Sequence, residues 1–268
     1  FHFSKSMGQN FLIDPQVPYD IAAASGADEH CGVLEIGPGI GPLTAQLAQR
    51  AGKVVSVELD ASLLPVLAET MAPYPNVEIV PGDVLKLDLA ALAAEKFQGL
   101  TPMVCANLPY NITTPILEKL VETPCFERFT VMIQKEVAQR LCAPEGSAQG
   151  GSFSLFLRYY MEPEYLFDVP ADRFLPPPKV TSAVIRCVRR SRPAVEVEDE
   201  AFFFKVMRGA FLLRRKTLSN SLAAALPAYS RAQIQSAMER CGLAPNVRGE
   251  ALTLQDFAAL ARALKEET

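Results

Sequence analysis

Histidine is nearly missing from this 268-residue chain: only His2 and His30 occur, and neither lies near a candidate site. Chemistry that leans on an imidazole base or a histidine-held metal is therefore not expected. Paired cysteines are missing too. Cys31, Cys105, Cys125, Cys142, Cys187 and Cys241 are scattered without a Cys-x-x-Cys pair. That spacing argues against a zinc site, a disulfide framework or an iron–sulfur cluster, and fits reduced, mostly buried thiols. No apolar stretch approaches the roughly 18 to 20 residues of a membrane span. The leading Ser4-Lys5-Ser6-Met7-Gly8-Gln9-Asn10 lacks the apolar core of a signal peptide. The chain opens on Phe1 and not on methionine, so a few further leading residues are expected. The expectation is a soluble, cytoplasmic, monomeric protein without a metal.

A strong net charge is also missing, but the total of −4 hides an uneven division. Residues 1–172 carry 10 Lys/Arg against 21 Asp/Glu, a net −11, whereas residues 173–268 carry 16 against 9, a net +7. A basic C-terminal part beside an acidic N-terminal part points to a nucleic-acid-facing module on a catalytic domain. The plainer alternative is clustering on solvated helix faces.

What is present reads as two architectures. From Gly32 to about Leu141, apolar strand-like runs (33–36, 54–59, 77–80, 103–106 and 129–133) alternate with helical patterns at 43–50, 61–71 and 87–96. That alternation predicts an α/β fold, a parallel sheet covered by helices on both faces. Further β-rich runs at 154–160, 165–169 and 183–188 are expected to complete the sheet edge. From Glu200 the pattern turns helical, at 201–213, 217–225, 231–241 and 254–264, with Pro227, Gly242 and Pro245 as punctuation. The expected division is a catalytic domain over 1–190 and a helical domain over 200–268.

Glu35-Ile36-Gly37-Pro38-Gly39-Ile40-Gly41 follows the first strand of this region and opens a helix. Ligands bind at the C-terminal strand ends of open α/β sheets, where such a turn lets the backbone come close. A dinucleotide fingerprint needs a third glycine where this chain has Pro42, so a pyrophosphate is disfavoured. The tighter turn suits a nucleoside with a small charged tail. Glu58 ends the next strand, 21 residues after Gly37, where a carboxylate can accept both ribose hydroxyls. Asp83, in Pro81-Gly82-Asp83, ends the third strand and can accept from an adenine amino group. The competing reading makes Asp60 and Asp83 helix N-caps.

Asn107-Leu108-Pro109-Tyr110 follows the fourth strand. It offers a neutral side-chain acceptor, a forced turn and an aromatic face, the parts needed to hold a planar amino group for attack on a methyl donor. Pro109 pushes Leu108 out of the α region and so fixes the direction of the Leu108 carbonyl. The competing reading is an ordinary proline turn. Cys105 could serve as a nucleophile for pyrimidine C5 methylation, but its apolar strand favours burial. Tyr110 is expected to stack through its ring, with the hydroxyl dispensable.

Together, Gly8-Gln9-Asn10-Phe11-Leu12, Glu35–Gly41, Glu58-Leu59-Asp60, Asn107-Leu108-Pro109-Tyr110-Asn111-Ile112 and Phe174-Leu175-Pro176-Pro177-Pro178-Lys179-Val180-Thr181-Ser182 resemble the ribosomal RNA adenine N6-dimethyltransferases. The resemblance runs over nearly the whole chain, most strongly to the branch acting on small-subunit ribosomal RNA. It implies a Rossmann-like catalytic domain, a small helical C-terminal domain and S-adenosyl-L-methionine as cofactor. By resemblance Asn10 and Leu12 close over the cofactor, Gly37 sits beneath it, Glu58 holds its ribose and Asp83 its adenine. Asn107 serves both cofactor and target, with Leu108, Pro109, Tyr110 and Phe174 around the target base. The implied substrate is a pair of adjacent adenines in a hairpin near the 3′ end of small-subunit RNA, within 30S or pre-30S particles. One departure is Gly150-Gly151-Ser152-Phe153-Ser154, where the family often has Tyr-Gly-x-Leu-Ser.

Arg208, Arg214, Arg215 and Lys216 suit RNA phosphates, as do Arg186, Arg189, Arg190 and Arg192 near the boundary. Two alternatives stay open. One keeps the chemistry on large-subunit RNA, DNA adenine or a protein glutamine amide. The other is a ribosome-assembly binding factor whose methylation is incidental.

Overall fold

The computed structural model describes residues 10–267, so His2, Gly8 and Gln9 lie outside the described residues. The chain divides into two compact units. One runs up to Ala138 and resumes over Pro163–Arg189; the other comprises Gln139–Glu162 and the residues from Arg190 onward. Residues 139–162, placed with the catalytic domain on sequence grounds, thus group with the C-terminal helices.

The first unit is built on strands β1 (Phe11–Leu12), β2 (Cys31–Ile36), β3 (Lys53–Glu58), β4 (Val77–Pro81), β5 (Thr101–Asn107), β6 (Arg128–Gln134), β7 (Met161–Val169, from Pro163 onward), β8 (Phe174–Leu175) and β9 (Ser182–Arg189). Seven of them form one sheet in the order β4-β3-β2-β5-β6-β9-β7. The strands from β4 to β6 run parallel, and β9 is antiparallel to β6. Every residue of β2 is buried, as are the central residues of β5 and β6. Continuous apolar runs are what a strand covered on both faces requires. The covering helices are α1 (Gln16–Ser25), α2 (Pro42–Ala48), α3 (Leu64–Thr70), α4 (Leu89–Lys96) and α5 (Thr113–Val121). Because the chain steps outward from β2 to β4 and returns to β5 on the other side of β2, a crevice opens at their shared C-terminal end.

Arg189 serves this scaffold. Its guanidinium donates to the carbonyls of Leu120 (3.2 Å), Val121 (2.9 Å), Thr123 (3.3 Å) and Phe126 (3.0 Å). Leu120 and Val121 close α5 and the other two lie in the loop after it, so the guanidinium also meets the negative end of the helix dipole. Arg186 donates to Glu164 at 2.6 Å. Two arginines read from sequence as phosphate ligands are therefore committed within the unit.

The second unit is helical. After α6 (Lys135–Cys142) come α7 (Ser152–Tyr160), α8 (Glu200–Ala210), α9 (Leu218–Ala225), α10 (Arg231–Arg240) and α11 (Leu254–Lys265). The expected strand at 154–160 is thus a helix. Its Leu- and aromatic-rich sequence carries no period that separates a buried helix from a strand. Tertiary packing decides it: Tyr159 meets Phe203 at a ring separation of 5.4 Å, and Phe156 meets Phe204 at 5.3 Å. Ser230 with Gln233, and Thr253 with Asp256, form capping boxes that start α10 and α11. Arg190 is held here, donating to the Arg158 carbonyl (3.0 Å) and Glu162 (2.8 Å), so it too is no free phosphate ligand. Among the described residues, no helix is long and apolar enough to cross a membrane.

Candidate active site

The parallel strands deliver their C-terminal ends to one cavity of about 310 Å³, wholly within the first unit. Its lining includes Asn10, Leu12, Gly37, Glu58, Asp83, Asn107, Leu108, Pro109, Tyr110 and Phe174. All the residues expected at the catalytic and cofactor sites are thereby brought together.

The glycine turn forms the floor. Gly37 has φ +68°, a left-handed conformation that side chains disfavour, and a Cβ added there would meet no protein atom within 4 Å. The missing side chain keeps cavity space clear. Gly39 also has a left-handed φ of +62°, and the Phe11 ring of the β1 strap packs over it. That strap pairs antiparallel with β8, setting Leu12 opposite Phe174 and Phe11 opposite Leu175. Leu12 and Phe174 turn inward and are buried.

Glu58 ends β3 with its carboxylate already oriented. Oε1 accepts from the Asp60 amide at 2.7 Å and Oε2 from the Gly39 amide at 3.3 Å. An ionised carboxylate has about four acceptor positions, so capacity remains for a ligand's hydroxyls. Burial raises its pKa, against the lowering effect of those two amides. Asp83 accepts from the Leu85 amide at 3.0 Å, within a turn; the cap of α4 is instead Asp88. The helix-cap alternative holds for Asp60, which accepts from the Ser62 amide, but not for Asp83.

Glu35, quoted in the glycine motif but given no role from sequence, lines the same cavity. It is buried, and its Oε2 accepts from the hydroxyls of Thr44 and Ser56, each at 2.6 Å. Burial pushes its carboxyl up to about 7 despite those two bonds. A lone acid inside the apolar run Val33-Leu34-Glu35-Ile36 was the signal available. Leu59 and Val84 also line the cavity, and Leu59 is exposed despite its size.

The opposite end is neutral. Asn107 closes β5, paired with Met132 of β6, and its carboxamide has no hydrogen-bond partner among the described residues. The Leu108 amide donates to the Met132 carbonyl at 3.1 Å, which pins the turn to the sheet. Pro109 is extended, with φ −63° and ψ 129°, and leads into a 3-10 turn over Tyr110–Ile112. The Tyr110 hydroxyl hydrogen-bonds Ser182, and burial raises its phenol pKa. Cys105 is fully enclosed in β5, where burial pushes its thiol well above the usual range, so it is no nucleophile here.

Arg208, Arg214, Arg215 and Lys216 belong to the second unit. Arg208 lies in the last turn of α8, its guanidinium 5.9 Å from the centre of the Phe204 ring. Arg214, Arg215 and Lys216 are exposed in the turn before α9, next to exposed Leu212 and Leu213.

A glycine floor, acids on successive strand ends and an Asn-Leu-Pro-Tyr turn, on a mostly parallel seven-stranded sheet, define a Rossmann-like methyltransferase. The family model described as "Ribosomal RNA adenine dimethylase" matches residues 1–266, and the chain belongs to that family. It is 48% identical over 269 residues to "Ribosomal RNA small subunit methyltransferase A" of Geobacillus sp. (strain WCH70), covering 99% of this chain and 92% of that one. Its identity to the protein of that name from Geobacillus thermodenitrificans (strain NG80-2) is 49%, covering 98% and 92%. Among solved structures, the 23S rRNA methyltransferase ErmE superposes with a TM-score of 0.70 at 27% identity, over 96% of this chain and 100% of that one. A dimethyladenosine transferase from Plasmodium falciparum shares the fold, with a TM-score of 0.76 at 23% identity over 96% and 98% of the two chains.

Proposed function

We propose that this adenine dimethyltransferase uses S-adenosyl-L-methionine to convert two adjacent adenines, in a hairpin near the 3′ end of small-subunit ribosomal RNA, to N6,N6-dimethyladenosine. The observation that carries this reading is the shared cavity. Carboxyl groups on β3 and after β4 face one end, and the Asn107 carboxamide, unpartnered among the described residues, the other. The cofactor fits the residues present: Gly37 leaves space that a Cβ would fill, and Glu58 retains acceptor capacity. Glu58 holds the ribose hydroxyls and Asp83 the adenine amino group, while Asn10 and Leu12 close over them. When bound, S-adenosyl-L-methionine supplies an electrophilic methyl group on a sulfonium.

The rest is done by side chains and backbone. The N6 lone pair of adenine is delocalised into the ring and is a poor nucleophile. The Asn107 side-chain oxygen and the Leu108 carbonyl accept the two amino hydrogens out of the ring plane, which favours a pyramidal nitrogen. Pro109 holds the Leu108 carbonyl in direction. Tyr110 and Phe174 pack on the faces of a base drawn out of its stack. The methylated nitrogen loses its proton readily, so the site needs no strong base. Rate comes from orientation and preorganised acceptors. Arg208, Arg214, Arg215 and Lys216 hold phosphates of the folded RNA, and action on assembling 30S particles puts the enzyme in the cytoplasm.

The test offers purified 30S particles lacking the modification, large-subunit RNA and duplex DNA to the enzyme. Only the 30S particles should gain methyl groups, ending as N6,N6-dimethyladenosine by mass spectrometry. Methylation of either other substrate, with none on 30S particles, would overturn the assignment.

A further inference from the structure

Ser182 lies 72 residues from Tyr110 in sequence and is fully buried, yet its hydroxyl meets the Tyr110 hydroxyl. It is the first residue of β9, directly opposite Gln134 at the end of β6. The Thr181 carbonyl beside it accepts from the Lys135 amide at 3.0 Å, so this end of β9 is tied to the end of β6 at two successive residues. The neighbouring β6 pairs with β5, where Met132 faces Asn107. Asn107 and the Tyr110 hydroxyl are thus referenced to the same three adjacent strands. A tyrosine with a free hydroxyl can swing about its Cα–Cβ torsion; one whose hydroxyl is tied to a buried strand has the far end of its ring fixed in place.

From this we infer that Ser182 is a positioning residue for the target base: its hydroxyl locks the Tyr110 ring as a preset stacking wall, in register with the Asn107 acceptor. The inference rests on the reading of Tyr110 as the stacking partner of the target adenine. It adds a role for the phenol hydroxyl, which sequence reasoning treated as dispensable. Because the wall matters most when the base must be aligned for attack, the lock acts on the chemical step more than on RNA or cofactor affinity.

A double-mutant cycle tests it, with single-turnover methylation of unmodified 30S particles as the readout. Ser182→Ala and Tyr110→Phe each remove the same hydrogen bond from opposite ends. Each should slow methyl transfer about tenfold, equivalent to about 1.4 kcal/mol. The double variant should be no slower than either single one. Dissociation constants for 30S particles and for S-adenosyl-L-methionine should change less than about threefold, well below the tenfold rate effect. Melting temperatures check that the proteins fold. Should Ser182→Ala disturb the strand, Tyr110→Phe still reports the hydrogen bond, because it leaves β9 untouched. Multiplying effects in the double variant would overturn the inference, as would normal rates in Tyr110→Phe. Tyr110→Ala separates the two levels. If it methylates normally, the stacking reading itself fails; if it is slow while Tyr110→Phe is normal, only the Ser182 lock fails.

Discussion

The two ends of the cavity are built on opposite principles. At the glycine-turn end the acceptors are carboxylates held by backbone amides: Glu58 by Gly39 and Asp60, and Asp83 by Leu85. At the Asn107 end the acceptors are a carboxamide without a hydrogen-bond partner among the described residues and a carbonyl aimed by Pro109, flanked by aromatic rings. Charged acceptors suit hydroxyls and an amino group that must be held and not altered. Neutral ones suit an amino group that must lose planarity and then shed a proton without being trapped as a strong ion pair. Under the proposed function the difference separates binding from chemistry within one crevice, and substitutions at the two ends should separate the same way.

The largest effect is expected at the neutral end. Asn107→Ala should lower the single-turnover rate by about 10²-fold or more, the scale of losing one preorganised hydrogen-bonding group. Cofactor affinity, measured by calorimetry, should stay within a few-fold of normal, a small effect by comparison. Near-normal methylation by this variant would remove the contrast between the ends. Next in size, Glu58→Ala should weaken S-adenosyl-L-methionine binding by about 10- to 100-fold, as hydrogen bonds to a charged acceptor imply. Asp83→Ala should weaken it less, because adenine also gains from apolar packing against groups such as Leu59 and Val84. Unchanged affinity in Glu58→Ala would end the ribose assignment.

Reversing Arg214, Arg215 and Lys216 to Glu extends the comparison to the second unit. Binding to 30S particles should weaken, and its salt slope should fall by about one for each lost phosphate contact. Cofactor affinity should not follow, since none of the three lines the cavity. An unchanged slope would remove them from the RNA surface.

The last prediction concerns stability at the cavity floor. The Glu35 carboxyl is raised from 4.5 to about 7 in the folded protein. Below pH 4.5 it is neutral whether folded or unfolded; above that, folding must either keep the proton or bury a charge. The native state should therefore lose stability relative to Glu35→Gln as pH rises from 4.5 to about 7, and no further beyond. Melting curves of both proteins across that range measure the difference. A flat difference would mean that folding does not raise the Glu35 pKa.

Much of this was open to local reading. The alternation of apolar runs with helical ones, the turn after Ile36, the acids at strand ends and the Asn-Leu-Pro-Tyr turn are short patterns. Each carries its physical meaning within a few residues, because strand burial, left-handed glycines and proline constraints act over that range. In a parallel sheet, motifs at the ends of successive strands also converge by topology, so their meeting in one crevice was implied. The segment 152–160 was not legible this way: a run buried on most sides has no telling period, and the rings of Phe203 and Phe204 decide that it is a helix. The arginines near the end of β9 show the same limit. Composition marked them as cations, but only the folded chain brings the carbonyls at the end of α5 to Arg189 and the Glu162 carboxylate to Arg190. Ser182 is the furthest case. Nothing in its neighbourhood pointed to Tyr110, because a contact spanning 72 residues depends on the register of β9 against β6. The sequence by itself determined the strand-end chemistry and the alternating fold. Tertiary structure alone decided which polar groups remain free for a ligand, since any such group is free only if no distant part of the chain has already satisfied it.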